Sequence, residues 1–299
     1  MTQDSASKPD AQRPLRIVTF NNMPPVFDMV RQWAERAGHT IVMVVTTPGP
    51  KSRRSEGYKQ IVATAGEKNI EVLVTTRLKT VATPVLDALQ PDLIVSASFP
   101  WLIPAELRQT ARLGAVNMHP ALLPAYRGPN ALRQFYDAAP MIGATLHWMD
   151  DAFDTGRILS QCGMPLPRPC TFENLVSAWM PSMGTALADG VARAILGDPG
   201  SPQSETGTRY GAAFSEAEHW IDFGEPAFAL QCKVTALGLF APAAKARIGA
   251  EEWLIERLDP MDETTANKQP GTVLEQLPDG LIVQAGDGAV KIKAKRLAR

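Results

Sequence analysis

Up to about residue 200, apolar residues fall into short continuous runs separated by stretches with helical spacing; beyond it they fall into shorter runs separated by tight turns. The runs at 15–20, 41–47, 70–75, 93–98 and 115–118 are too continuous for half-exposed strands and match strands buried on both faces. Residues 26–36 carry apolar side chains at helical spacing and stop at Ala37-Gly38. Helical stretches between the first four strands predict a doubly wound, mostly parallel α/β sheet. Residues 143–149 and 158–161 extend it by two strands. A long helix is predicted over 171–196, capped by Thr171, with Glu173 and Asn174 in its first turn.

Residues 197–211 are dense in Gly, Pro, Ser, Thr and Gln, the composition of a connecting segment. Short strand-like runs follow at 273–275, 281–284 and 289–292, separated by Pro278-Asp279-Gly280 and Gly286-Asp287-Gly288. Their spacing predicts a small C-terminal β-barrel of the OB type. The expected division is a disordered tail at 1–14, a catalytic domain at 15–200, a linker at 201–211 and the barrel at 212–299.

The 299 residues are 45% hydrophobic and 20% charged, which excludes a wholly disordered or fibrous chain. Lys+Arg 30 against Asp+Glu 31 leaves a net charge of −1, so any polyanion must be held by a local basic patch. Cys162, Cys170 and Cys232 are too few and too scattered for a disulfide framework, and no CxxC pair offers a zinc site. The polar first residues lack the apolar core of a signal peptide, and no apolar stretch is long enough to span a bilayer. The expectation is a cytoplasmic protein with no metal, no membrane partner and no DNA partner.

GxGxxG after the first strand, GxxxxGK[ST], HExxH and GxSxG are all absent. The polar residues instead concentrate at the end of a buried strand, in Asn117-Met118-His119-Pro120-Ala121-Leu122-Leu123-Pro124-Ala125-Tyr126-Arg127-Gly128. Ligands of open parallel sheets bind outside the carboxyl ends of strands. Alternation puts Asn117 and His119 on one side of that strand, and a histidine suits proton traffic near neutral pH. The loop Asp150-Asp151-Ala152-Phe153-Asp154-Thr155-Gly156 joins the next two strands and offers carboxylates to orient or charge-stabilise His119. Spacing alone also fits a plain reading, in which Asn117 and His119 only satisfy each other's hydrogen bonds and Asp154-Thr155-Gly156 is a common turn.

The stretch 114–161, with Asn117-x-His119, Leu122-Leu123-Pro124, Arg127-Gly128, Gly143-x-Thr145 and Asp154-Thr155-Gly156 in order, closely resembles the core of the folate-dependent formyltransferases. Pro25-Val26-Phe27 after the first strand, and the stretches 221–230, 270–275 and 284–293, extend the likeness toward the methionyl-tRNA branch. The resemblance implies a formyltransferase, Rossmann-like fold and transfer of a formyl group from 10-formyltetrahydrofolate to a primary amine. It implies Asn117, His119 and Asp154 as the catalytic trio. It also implies that Ala121, Leu122, Leu123, Pro124, Asp150 and Asp151 line the folate pocket.

Ala121 stands where that family usually has Ser, and Asn22-Met23-Pro24 where methionyl-tRNA formyltransferases usually have Gly-Thr-Pro. The loop holding Lys51, Arg53 and Arg54 is basic but lacks their Gly-Arg-Gly. These departures bear on the acceptor and leave the trio intact. Lys51, Arg53, Arg54 and Arg127 are expected to bind the acceptor, with initiator methionyl-tRNA the first reading. Lys291, Lys293 and Lys295 share one face of the last strand, with Arg296 and Arg299 following, and are either a second basic contact or a solvated face. The alternatives are a small-molecule amine as acceptor, with an amino sugar or amino-acid derivative as the class, hydrolysis of the formyl donor by water, and a non-catalytic folate- or RNA-binding homologue.

Overall fold

A computed structural model describes residues 13–49, 56–261 and 268–297. Residues 1–12 of the expected 1–14 tail, the basic loop with Lys51, Arg53 and Arg54, and Arg299 lie outside the described residues.

The apolar runs become a seven-stranded sheet. Its strands are β1 (Arg16–Asn21), β2 (Thr40–Thr46), β3 (Glu71–Val74), β4 (Leu93–Ala97), β5 (Ala115–His119), β6 (Met141–Trp148) and β7 (Ile158–Pro165). The order is β3-β2-β1-β4-β5-β6-β7. The pairs β1–β2, β2–β3, β1–β4 and β4–β5 are parallel, and β5–β6 is antiparallel. Every residue of β4 is buried, which is why its sequence is a continuous apolar run rather than an alternating one.

Helix α1 (Pro24–Arg36) opens with Pro in its first turn and buries Val26, Phe27, Val30, Trp33 and Ala34. Phe27 joins Val44, Ile61 and Ala65 in one cluster, Ile61 and Ala65 coming from α2 (Gly57–Glu67). A second cluster joins Val18, Phe20, Val45 and Ile94 to Leu78, Leu86 and Leu107, from a π-helical turn (Leu78–Ala82), α3 (Thr83–Leu89) and α4 (Ala105–Arg108). The chain runs from β1 outward through β2 to β3, then returns to the other side of β1 as β4. That reversal opens a crevice at the carboxyl ends of the central strands. β5 ends beside it, at His119.

Helix α6 (Phe172–Ile195) follows the predicted span, and Thr171 Oγ1 accepts the Asn174 backbone N–H at 3.3 Å. After it come α7 (Ala227–Gly238) and a five-stranded antiparallel sheet. The sheet comprises β8 (Ala244–Ile248), β9 (Glu251–Pro260), β10 (Val273–Leu277), β11 (Gly280–Gln284) and β12 (Ala289–Arg296), in the order β10-β11-β12-β9-β8. Its core contains Phe223, Leu230, Val234, Ile255, Leu258, Val283, Val290 and Ile292, with Trp253 packed at the edge.

Two compact units emerge. The first comprises residues 1–124, 144–162 and 183–206, and the second 125–143, 163–182 and 207–299. In the second unit, α5 (Arg133–Tyr136) packs on α7, and Arg133 pairs with Glu218. The C-terminal basic stripe is partly offset by carboxylates of β9. Lys293 and Lys295 reach Glu256 at 3.4 and 2.5 Å, Arg296 reaches Glu251 at 3.0 Å, and Lys291 stands opposite Asp259 in the β12–β9 register. Cys162, Cys170 and Cys232 are free thiols. Among the described residues no helix is long and apolar enough to cross a membrane, and no group of three ligating side chains is arranged for a metal.

Candidate active site

The antiparallel register of β5 and β6 sets Asn117 opposite His147 and His119 opposite Thr145. Directly opposed residues project to the same face. That face therefore carries Asn117, His119, Thr145 and His147, and the loop after β6 brings Asp154 to it. His119 is 4% exposed, His147 2% and Asp154 8%. Five polar side chains gathered at one buried strand end are costly unless they satisfy one another.

They do so around one carboxylate. Asp154 Oδ2 lies 3.4 Å from His119 Nδ1. Its Oδ1 accepts from Asn117 Nδ2 at 3.2 Å and lies 3.6 Å from His147 Nε2. The same Asn117 Nδ2 is 3.2 Å from His147 Nε2, and His147 Nδ1 is 2.7 Å from the Trp148 carbonyl oxygen. The expected trio is thus brought together, with His147 as a fourth member that the sequence reading passed over. The available signal was Thr145 and His147, the polar residues at alternate positions of an otherwise apolar strand.

The loop that carries Asp154 is held by backbone geometry. Asp154 adopts φ +59°, a left-handed conformation that Asp tolerates better than most residues. Gln203 Nε2 donates to the carbonyls of Asp154 and Gly156 at 2.9 and 2.7 Å, clamping both sides of the turn. A Cβ on Gly156 would lie 1.7 Å from the Trp148 carbonyl oxygen, so only glycine fits. Gln203 is far away in sequence and carries no local pattern that marks it.

Of the residues expected at the folate pocket, Asp150 and Asp151 are engaged within this loop and beside it. Asp150 Oδ1 accepts from Thr155 Oγ1 at 2.6 Å and from the Ala152 N–H at 3.2 Å. The exposed Asp151 pairs with Arg108. Ala121 and Leu123 point into the core, at 0% and 3% exposure, whereas Leu122 and Pro124 are half-buried. Thr145 fixes their backbone: its Oγ1 donates to the Ala121 carbonyl at 2.7 Å and accepts from the Leu123 N–H at 3.0 Å. Arg127 is buried in the second unit, where its carbonyl accepts the Gly211 N–H at 2.6 Å. The methyl of Ala121 stands where the family's serine hydroxyl would be enclosed. Contacts with the Lys51 loop lie outside the described residues.

A buried histidine and a carboxylate beside a primary amide, at a strand end, form a constellation for proton transfer and charge stabilisation at a carbonyl. The formyl transferase family matches residues 15–179, and the formyl transferase C-terminal domain matches residues 214–299. A methionyl-tRNA formyltransferase of Chromohalobacter salexigens is 31% identical over 270 residues, covering 86% of this chain and 81% of that protein. One of Thiobacillus denitrificans is 29% identical over 280 residues, covering 91% and 89%.

Among solved structures, HypX from Aquifex aeolicus superposes on 96% of this chain with TM-score 0.67 and 18% identity, and the chain spans 45% of HypX. An N-formyltransferase from Helicobacter canadensis, in complex with folinic acid and dTDP-3-aminofucose, superposes on 94% of this chain and 100% of its own, with TM-score 0.67 and 14% identity. These two share the fold. The chain belongs to the formyl transferase family and is a folate-dependent formyltransferase.

Proposed function

We propose that the enzyme transfers the formyl group of 10-formyltetrahydrofolate to the amino group of methionyl-tRNA, with Asn117, His119 and Asp154 carrying the chemistry. The observation that carries this reading is the cluster around Asp154, in which one carboxylate lies within 3.2 to 3.6 Å of Asn117, His119 and His147. Attack of the amine nitrogen on the formyl carbon turns the carbonyl oxygen into an oxyanion and leaves the nitrogen with a proton to lose. His119, held through Nδ1 by Asp154, presents its other ring nitrogen away from the carboxylate and donates a hydrogen bond to the oxyanion when protonated. Asn117 adds a second donor once its amide turns outward. One such donor lowers the barrier by roughly 3 kcal/mol. Asp154 stabilises the imidazolium and takes up the amine proton directly or through water; collapse of the tetrahedral intermediate then breaks the bond between the formyl carbon and N10, and N10 leaves with that proton as tetrahydrofolate. Leu122 and Pro124, on the backbone that Thr145 fixes, are assigned to the folate side of the site.

The acceptor reading draws on the relatives' names and on the match of the C-terminal domain. A small amine is the second reading, favoured by one observation: Lys293 and Lys295 share Glu256 and Arg296 pairs with Glu251, so two carboxylates offset two of these three cations and leave a weakened charge for a phosphate backbone. Release of tetrahydrofolate from 10-formyltetrahydrofolate, followed with and without charged methionyl-tRNA, decides between them. Release that requires the tRNA supports the first reading. Release stimulated only by an amino sugar or amino acid transfers the assignment to the second, and release without any amine would make the enzyme a hydrolase.

A further inference from the structure

His147 contacts the amide of Asn117 rather than the space where the formyl group would react, and its hydrogen-bonding state is determined by the chain itself. Its Nδ1 is 2.7 Å from the Trp148 carbonyl oxygen. A carbonyl only accepts, so Nδ1 carries a hydrogen whether the ring is neutral or charged. In the neutral ring Nε2 is therefore a bare acceptor. Asn117 Nδ2 then sits between two acceptors, His147 Nε2 and Asp154 Oδ1, each at 3.2 Å. Both amide hydrogens are engaged there, and Asn117 Oδ1 is turned the opposite way. In this state Asn117 offers the reacting group an acceptor, whereas a developing oxyanion requires a donor.

We propose that His147 is a positioning residue whose protonation decides which end of the Asn117 amide faces the reacting group; the proposal rests on the formyl-transfer reading above. A second proton on His147 sets Nε2–H against the Asn117 NH2, two donors 3.2 Å apart. Half a turn about the Asn117 Cβ–Cγ bond relieves this by bringing Oδ1 to Nε2–H and sending Nδ2 outward as the oxyanion donor. The turn also brings Asn117 Oδ1 against Asp154 Oδ1, two acceptors, so the carboxylate must draw away from the amide toward the imidazolium 3.6 Å from it, which becomes its ion partner in place of the amide.

The surroundings place the charge balance on few groups. Among the described residues, the titratable side chains facing His147 are Asp154 and, across that carboxylate, His119. Arg157, at the start of the returning chain, is turned to the carbonyls of Pro199 and Gly200. On the sheet's other face, Gly190 of α6 packs against Leu146 and brings no charge there. Thr145 and Gln161 are bonded to each other and to the 121–123 backbone.

The test has one arm in the free enzyme and one in turnover. In 15N-labelled protein without substrates, the Asn117 side-chain amide protons, identified by their loss in Asn117→Ala, are followed while the His147 Nε2 resonance is titrated. The expected result is that they shift with the His147 titration and not with that of His119. In turnover, kcat with 10-formyltetrahydrofolate should fall about tenfold as His147 loses its proton, while KM for the donor holds. That figure is of the order expected for reopening one amide network. In His147→Gln that limb should vanish and the His119 limb remain, because a glutamine amide orients Asn117 without titrating. Asn117 resonances that stay fixed through the His147 titration, or a His147→Gln profile that superposes on the wild type, would overturn the proposal. Absence of turnover with every acceptor would instead sink the formyl-transfer reading, with the amide resonances still deciding the coupling.

Discussion

Two regions of this molecule line up polar side chains on strands, and they treat them in opposite ways. At the β5–β6 end, Asn117, His119, Thr145 and His147 share one face with Asp154 over it, nearly all buried, and the three side chains that meet Asp154 (Asn117, His119 and His147) exchange protons or hydrogen bonds without fixed charge. On β12, Lys293 and Lys295 point to solvent from alternate positions, and both meet Glu256 on β9. The first arrangement bears a desolvation cost that only mutual satisfaction offsets. The second costs little and stabilises little. Polar residues on a strand therefore signal chemistry when they are buried together, and signal only solubility when each faces water beside an opposite charge.

The comparison is broken most sharply at its buried side. Replacing His119 with Ala should lower kcat by about 10²- to 10³-fold, as for loss of an oxyanion donor, with thermal melting still cooperative; turnover within threefold of wild type would remove His119 from the chemistry. Gly156→Ala tests the loop behind Asp154. With an added Cβ only 1.7 Å from the Trp148 carbonyl oxygen, the turn must open, and urea titration should show a loss of about 3 kcal/mol.

An intermediate case lies in the second unit, where Arg133 bonds Glu218 and the Ser215 N–H adds a bond at 2.8 Å. The hydrogen bond from Arg133, reinforced by Ser215, holds the Glu218 carboxyl at about 2, below its ordinary 4.5. The carboxyl is depressed on folding, so its contribution is complete above pH 4.5 and is lost as the pH falls toward 2. Glu218→Gln should cost about 2 kcal/mol at pH 7 and nothing near pH 2, after allowing for partial exposure. An equal loss at both pH values would show that the pair acts through packing.

Gln203→Ala releases the clamp on the Asp154 and Gly156 carbonyls and should lower kcat about tenfold with little change in melting, since the loop keeps its other bonds. The smallest effect is expected at the charged face. Lys293→Gln with Lys295→Gln should change stability by no more than about 0.5 kcal/mol. If methionyl-tRNA is the acceptor and this face contacts it, KM for the tRNA should rise and its salt dependence become shallower; an unchanged KM would leave the stripe a solvated surface.

Much of the first unit was legible because a strand buried on both faces cannot hide its composition. The apolar runs ending at Thr47, Thr75 and Ser98 became β2, β3 and β4, and the predicted helix with its Thr171 cap became α6. In the second unit β9 escaped notice because its outward Glu, Arg and Asp residues dilute the apolar signal. Helix α7 escaped because, packed between β9 and α5, it is apolar on too many sides to show a stripe.

The site divides along the same line. The residue types and their order, Asn117, His119 and Asp154-Thr155-Gly156, were legible in the sequence, the first two through alternation along one strand and the set through its resemblance to the formyltransferases, whereas the need for glycine at 156 comes from its approach to the Trp148 carbonyl. Tertiary structure decided the rest. His147 faces Asn117 only because β6 runs antiparallel to β5 in that register, and Gln203 reaches the Asp154 turn only because the chain returns to it after α6. Lys293 and Lys295 proved to be paired because β9 lies beside β12. Partners brought together by pairing and packing are set by the energy of the whole fold, and no local pattern records them.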